Sequence, residues 1–303
     1  MISDAQAVVT DLLREKTLWP QMLLEYYLTV ATGLRRCSLV TIPAEWPDAE
    51  DISRRIDDAC IEDFKQLAHE RDVIRKMKMI RSVKEKMRKI SLAEIRSSLS
   101  YNSHISWINR LRLEVFEVEI RPTVRELFIY KEKDMKLRLE NLMRKRLRFR
   151  EEFLRHAGQS TPRSIAAYPE ELYPEYLTEI GGLLAYPACC VKAYIEGREQ
   201  EKPSAEQRAA AQISDIRALG LEPDVYAYFS KDFIPCSPTC VNASALGGNF
   251  HQGLATVDGR LSEFHLQCLK KNVDAVGSYV QRIEEHRAKI SLRSRELGIE
   301  AVR

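Results

Sequence analysis

Four apolar residues recur at sevens along one stretch of the chain: Phe128, Met135, Leu142 and Phe149, flanked by Val124, Leu139 and Phe153. A seven-residue period puts such side chains on one stripe of a helix, so the stretch has one face to bury and one to expose. The spacing predicts a single helix over 123–156, begun by Pro122 and roughly 50 Å long at 1.5 Å per residue. A helix of that length usually packs on another, in the same chain or in a second copy, so a homodimer is one expectation. A similar stripe, Ile52, Ile56, Cys60, Phe64 and Leu67, follows Pro47 and Asp48 and predicts a helix continuing with breaks to about Leu99.

The rest of the chain agrees with helices. Only 12 Gly and 12 Pro occur among 303 residues, too few for a turn-rich β architecture. Helices are predicted over 3–18 and 20–36, then a β-branched extended piece over 38–43. Residues 101–103 read as a turn and cap, and 105–120 as a helix or, through Val115, Val118 and Ile120, a partly extended segment. Residues 158–163, Gly-Gln-Ser-Thr-Pro-Arg, read as a linker. Beyond it Tyr, Pro, Cys and Gly become frequent. Helices are predicted over 170–183, 187–197, 204–219, 238–247 and 260–296, with 226–234 extended. The last helix carries the stripe Leu261, His265, Cys268, Val276, Tyr279, Ile283 and Ile290. The expected fold is mainly α. An elongated helical N-terminal region over 1–160 is followed by a smaller helical cysteine-motif domain over 161–303 that ends in a long helix.

No stretch of about 18 apolar residues occurs, so no membrane span is expected. The start of the chain, with Asp4 and Asp11, does not read as a secretory signal. A cytoplasmic, reducing location is expected, in which seven cysteines are better read as metal ligands, catalytic groups or core residues than as disulfides.

The cysteines are not evenly spread. Cys189 and Cys190 follow Pro187, and Cys236 and Cys240 flank Ser237-Pro238-Thr239. Pro187 suits a first helical position, so the adjacent pair falls in a first turn. If Pro238 likewise begins a helix, Cys236 and Cys240 lie across its N-terminal turn and share a face. Helix N-termini favour anionic sulfur. Two such ends facing each other make a thiolate pocket suited to an iron–sulfur cluster or a Zn²⁺ ion. On a helix Cys190 points inward more readily than Cys189. The reading is therefore three ligands, Cys190, Cys236 and Cys240, with Cys189 as the fourth or as a free thiol. A redox disulfide and simple apolar packing are the alternatives.

Tyr186-Pro187-Ala188-Cys189-Cys190-Val191, followed by Pro235-Cys236 and Cys240, resembles a largely archaeal family, the domain of unknown function numbered 483, over roughly residues 175–255. The resemblance marks these four cysteines and implies no reaction.

Other candidates are weaker. His251, in the flexible Gly-rich stretch 247–253, reads as an extra ligand or proton carrier, or as part of a loop and helix cap. His265 and Cys268 either approach the same pocket or pack in the core. Cys37 and Cys60 read as core.

Charge is uneven. Residues 1–70 carry a net −6, residues 71–150 a net +13, and residues 151–303 a net −4. Within the basic block, Arg75, Lys76, Lys78 and Arg81, with Arg144, Lys145, Arg146 and Arg148, are candidate contacts to a nucleic-acid backbone. The alternative is that the acidic segment 1–70 packs on the block and neutralises it. Two functions follow. In one, a metal- or cluster-bearing enzyme handles redox or sulfur chemistry on RNA or a protein partner. In the other, a non-enzymatic binding or assembly protein carries a structural zinc or simply buried cysteines.

Overall fold

The computed structural model describes residues 5–156, 168–200 and 202–296; the linker expected at 158–163 lies outside them. The chain is mainly helical, as its composition predicts, with a three-stranded sheet among the described residues. No described helix is long and apolar enough to cross a membrane.

Helix α1 (Ala5–Arg14) leads into a continuous helical segment over 20–31, α2, with a π-helical centre at Leu23–Leu28. Strand β1 (Cys37–Ile42) comes next. Helices α3 (Ala49–His69) and α4 (Val73–Ser97) then form a hairpin. Two ion pairs join them, Arg55 to Glu94 and Lys86 to Asp63, each at 2.5 Å. Helix α4 starts where the Asp72 carboxylate accepts the Arg75 N–H at 2.8 Å. Helix α5 (Leu99–Leu111) starts where the Ser98 hydroxyl accepts the Tyr101 N–H at 3.1 Å. Residues 101–103, expected as a turn, are therefore helical, and the cap lies just before them.

The largest departure from expectation is at 123–130. Strands β2 (Glu114–Arg121) and β3 (Val124–Tyr130) form an antiparallel hairpin around Pro122 and Thr123, and helix α6 begins only at Lys133 (Lys133–His156). The sheet order is β1-β3-β2, with Phe128 opposite Leu39 on one side and Phe116 on the other. Physical reasons are visible in the residues. Val124, Phe128, Ile129 and Tyr130 are β-branched or aromatic, and β2 alternates Glu114, Glu117 and Glu119 with Val115, Phe116 and Val118. A central strand is covered on both faces, which explains the unbroken run Leu127–Tyr130. Leu127 and Ile129 enter a core with α1, α2, α3 and α5, while Phe128 and Tyr130 enter another with Met135, Leu142 and Phe149. The seven-residue stripe is thus buried as expected, but its first member sits on a strand.

After a 3₁₀ turn (Pro169–Leu172) come α7 (Pro174–Leu183), α8 (Ala188–Glu199) and α9 (Ala205–Ala218). The stretch 226–234, expected as extended, instead begins with a 3₁₀ turn (Val225–Tyr228) capped by Asp224. Helix α10 (Val241–Val257) absorbs the Gly-rich stretch 247–253, so that stretch is not a flexible loop. Gly247 permits close packing there, since a Cβ would lie 2.0 Å from the Tyr226 carbonyl oxygen. The expected terminal helix is two helices, α11 (Gly259–Gly277) and α12 (Tyr279–Glu296). They part where Gly277 weakens the helix and the Ser278 hydroxyl donates to the Asp274 carbonyl at 2.8 Å. Leu254, Leu261 and Cys268 pack in the core built by the first five helices.

Candidate metal centre

Helix α8 carries the first two cysteines. Pro187 stands at its N-cap, and Cys189 and Cys190 follow in the first turn. The second pair is held differently from the sequence expectation. Helix α10 begins at Val241, not Pro238, so Cys240 is its N-cap and Cys236 lies in the preceding bend. Pro235 and Pro238 explain the shift, because each lacks a backbone N–H and Pro238 is taken up in a turn. The outcome is nonetheless convergent. All four sulfurs lie within 4.8 Å of one another. Cys189 to Cys240 and Cys190 to Cys240 are 3.7 Å apart, and Cys189 to Cys190 is 3.8 Å.

The surroundings supply donors to sulfur. The Cys236 backbone N–H donates to the Cys190 Sγ at 3.4 Å, and the Asn242 side-chain amide donates to the Cys189 Sγ at 3.3 Å. The N-termini of α8 and α10 both meet the group and add positive potential. Cys190 and Cys240 are buried, while Cys189 and Cys236 are half-exposed. The Asn242 hydrogen bond lowers the Cys189 thiol pKa, helped by its cysteine neighbours. Burial pushes Cys190 well up and Cys236 up to about 11. A buried thiol in such a group has reason to lose its proton only to a cation. The arrangement can therefore hold a metal ion.

The remaining candidates are not members of this sulfur group. The His251 and His265 rings stack on each other at 5.9 Å, and Tyr226 meets His251 edge-on at 5.5 Å. Burial lowers the His265 pKa to about 4, with His251 adding to the effect. Cys268 is fully buried among Val, Leu and Tyr of the first core, and burial raises its pKa. Cys37 and Cys60 are buried too.

One comparison with known proteins gives a match. Residues 169–252 match the family described as protein of unknown function (DUF483). The DUF483 segment runs from the 3₁₀ turn before α7 to within α10, and it contains all four cysteines and Asn242. No curated protein and no solved structure matches the chain.

The basic block divides on inspection. Arg146 is buried, contrary to the expectation that it contacts a nucleic acid. Its guanidinium donates to Glu126 at 2.6 Å and to Glu170 at 2.5 Å. It shares the buried face of α6 with Leu142, Met143 and Phe149. Lys145 pairs with Glu179, and Arg150 with Glu170 at 2.8 Å. Arg144 and Arg148 remain exposed, as do Arg75, Lys78 and Arg81, with Lys76 half-exposed. Sequence reasoning missed Asn242, which nothing in its local pattern marks. It also missed Glu126 and Glu170 as partners of Arg146, because pairs 20 and 24 residues apart are set by the tertiary fold.

Proposed function

We propose that the four cysteines hold one Zn²⁺ ion as a closed tetrathiolate, and that the chain is a zinc-stapled helical binding protein with a polyanionic partner, RNA first among them. The sulfur spacing carries the reading. A regular tetrahedron with Zn–S bonds of about 2.3 Å has edges of about 3.8 Å. Three of the six sulfur separations, those among Cys189, Cys190 and Cys240, are 3.7, 3.7 and 3.8 Å and match that edge, and Cys236 lies within 4.8 Å of the others. A cubane iron–sulfur cluster binds each cysteine on a different iron and spreads the sulfurs to roughly 6 Å. Four protein ligands leave no open position on the ion, which favours a staple over a catalytic centre. The ion would join the start of α8 to the 236–241 segment, two pieces of chain that share only a small apolar core.

The partner reading rests on charge. Helix α3, from the acidic segment, neutralises Lys86 through Asp63, yet Arg75, Lys78, Arg81 and Lys84 make no ion pair within 4 Å among the described residues. They lie along one exposed helix, suited to a phosphate backbone.

Metal analysis of the chain purified without oxygen tests the centre. The expected result is a colourless protein with one zinc per chain that is lost when Cys236 and Cys240 are both replaced by Ser. A brown protein carrying iron and acid-labile sulfide would overturn the zinc reading in favour of a cluster. A metal-free protein that folds normally would overturn both.

A further inference from the structure

A cavity of about 300 Å³ lies between the sheet and the DUF483 segment, at the lower end of the usual size for a small-ligand site. Its apolar wall comes from Leu39, Tyr176, Leu184, Tyr186, Tyr194 and Phe233. Half-exposed lining residues, Tyr194 and Glu206 among them, leave part of that wall in contact with solvent.

Its charged lining is one-sided. Glu45, Glu126, Glu170, Glu171, Glu206 and Asp232 face Arg146 alone. Most of the carboxylates have partners. Arg146 holds Glu126 and Glu170, Arg150 shares Glu170, and Arg198 holds Glu171. Asp232 accepts the Tyr186 hydroxyl at 2.7 Å and faces Arg35 at 3.9 Å. Glu45 and Glu206 make no ion pair within 4 Å among the described residues.

Glu45 decides the ligand class. Its Oε1 accepts the Thr41 N–H at 2.7 Å, but its Oε2 is buried without a hydrogen-bond partner. The Tyr26 hydroxyl lies near and forms no hydrogen bond of good geometry. A buried carboxylate oxygen without a donor is costly, and an ammonium brings three donors. An anion would meet Glu45 and Glu206, neither in an ion pair within 4 Å among the described residues, and the one lining cation is already held by two carboxylates. Burial also pushes the Glu45 carboxyl up to about 7, with Asp232 adding to the rise and Lys231 opposing it.

We propose that this cavity binds a small organic cation, a primary amine on an apolar body, with its ammonium on the Glu45 carboxylate. Glu45 itself lies outside the DUF483 segment and outside the sulfur group, although Cys190 of that group also lines the cavity.

Titration calorimetry on the metal-loaded full chain at pH 8 tests it. The probes are phenethylamine, its neutral counterpart 2-phenylethanol, and the anion 3-phenylpropionate. The amine is expected to bind at least about tenfold more tightly than the alcohol, a difference near 1.4 kcal/mol, and the anion not at all. Glu45→Gln should cost the amine about tenfold or more while leaving the circular dichroism spectrum unchanged. Leu39→Trp, which fills the cavity from β1, should abolish amine binding and serves as the deciding variant if Glu45→Gln does not fold. No heat from millimolar amine, equal binding of the three probes, or full amine affinity in a folded variant of either kind would overturn the proposal.

Discussion

Replacing Arg146 by Met tests whether the basic block is as available as its sequence suggests. The Arg146 guanidinium donates to both oxygens of Glu126, at 2.6 and 3.3 Å, and to Glu170 at 2.5 Å. The Arg146 side chain is 5% exposed, that of Glu126 10% and that of Glu170 1%, so the pairing is largely shielded from bulk water. Burial pushes the Glu170 carboxyl up, but Arg150 and Arg146 outweigh it and hold the pKa below the ordinary value. Removing one partner of a buried pair typically costs about 3–5 kcal/mol, because the other charge is left stranded. Glu170 would keep Arg150, which places the loss near the lower end, about 3 kcal/mol. Among the described residues, Glu126 would be left without an ion-pair partner. Urea denaturation at pH 7.5 should therefore show a loss of about 3–4 kcal/mol. Adding Glu126→Gln should recover about half of it, since a neutral amide is cheaper to strand. A loss under about 1 kcal/mol, the usual worth of a surface pair, would refute the buried network. So would a double variant no more stable than the single one.

Two further outcomes follow from the same reasoning. Reversing Arg75, Lys78 and Arg81 to Glu should weaken binding of the intact chain to RNA and lower its salt dependence by about 2–3 in the log–log slope, while Arg146→Met leaves that slope unchanged; no RNA binding at low salt would remove the polyanion reading. His104 is buried with its Nδ1 at 2.7 Å from the Tyr27 hydroxyl, and burial lowers its pKa to about 4. Unfolding releases it to an ordinary pKa near 6.5, so stability should fall as pH drops from about 6.5 to about 4, by up to about 3 kcal/mol. Glu25 works in the opposite direction, since burial raises its pKa to about 7 and its contribution weakens as pH rises from about 4.5 to about 7. The measurement is therefore a comparison with His104→Gln, whose denaturation midpoint should fall less steeply below pH 6.5; an unchanged slope would show that His104 is not held neutral by the fold.

Local features of the chain were legible because their causes are local. Pro187, read as a first helical position, predicted within one residue where α8 begins, and the seven-residue stripe predicted which side chains of α6 are buried. Its extension to Phe128 failed for an instructive reason. A residue on a central strand and residues on the following helix can face one core and keep a regular spacing by coincidence, so periodicity alone does not separate them. Pro122 and the alternation of Glu114 to Arg121 carried the signal for a hairpin, and the β-branched and aromatic run 124–130 completed it. The convergence of the cysteines was readable from their spacing, though the element holding Cys236 was not. The Arg146 network and Glu45 were beyond reach, because each depends on residues brought together from distant parts of the chain.

The sulfur group and the helical framework are coupled through α10. That helix has Cys240 as its N-cap, passes Gly247 against the Tyr226 carbonyl, and buries Leu254 in the core built by α1, α2, α3 and α5. Asn272 of α11 reinforces the link by donating to Glu25 and to the Tyr228 carbonyl, each at 3.0 Å. An ion fixing the N-cap of α10 therefore orders a helix whose far end belongs to the main core. The free energy of binding such an ion would be shared with packing that lies well away from the cysteines, since anything that binds only the folded form stabilises the whole cooperative unit. On this argument the hairpin of α3 and α4 would depend on such an ion without touching it. Ile52 and Ile56 pack in the same core as Leu254, and the surface that α4 presents is only as well placed as that core.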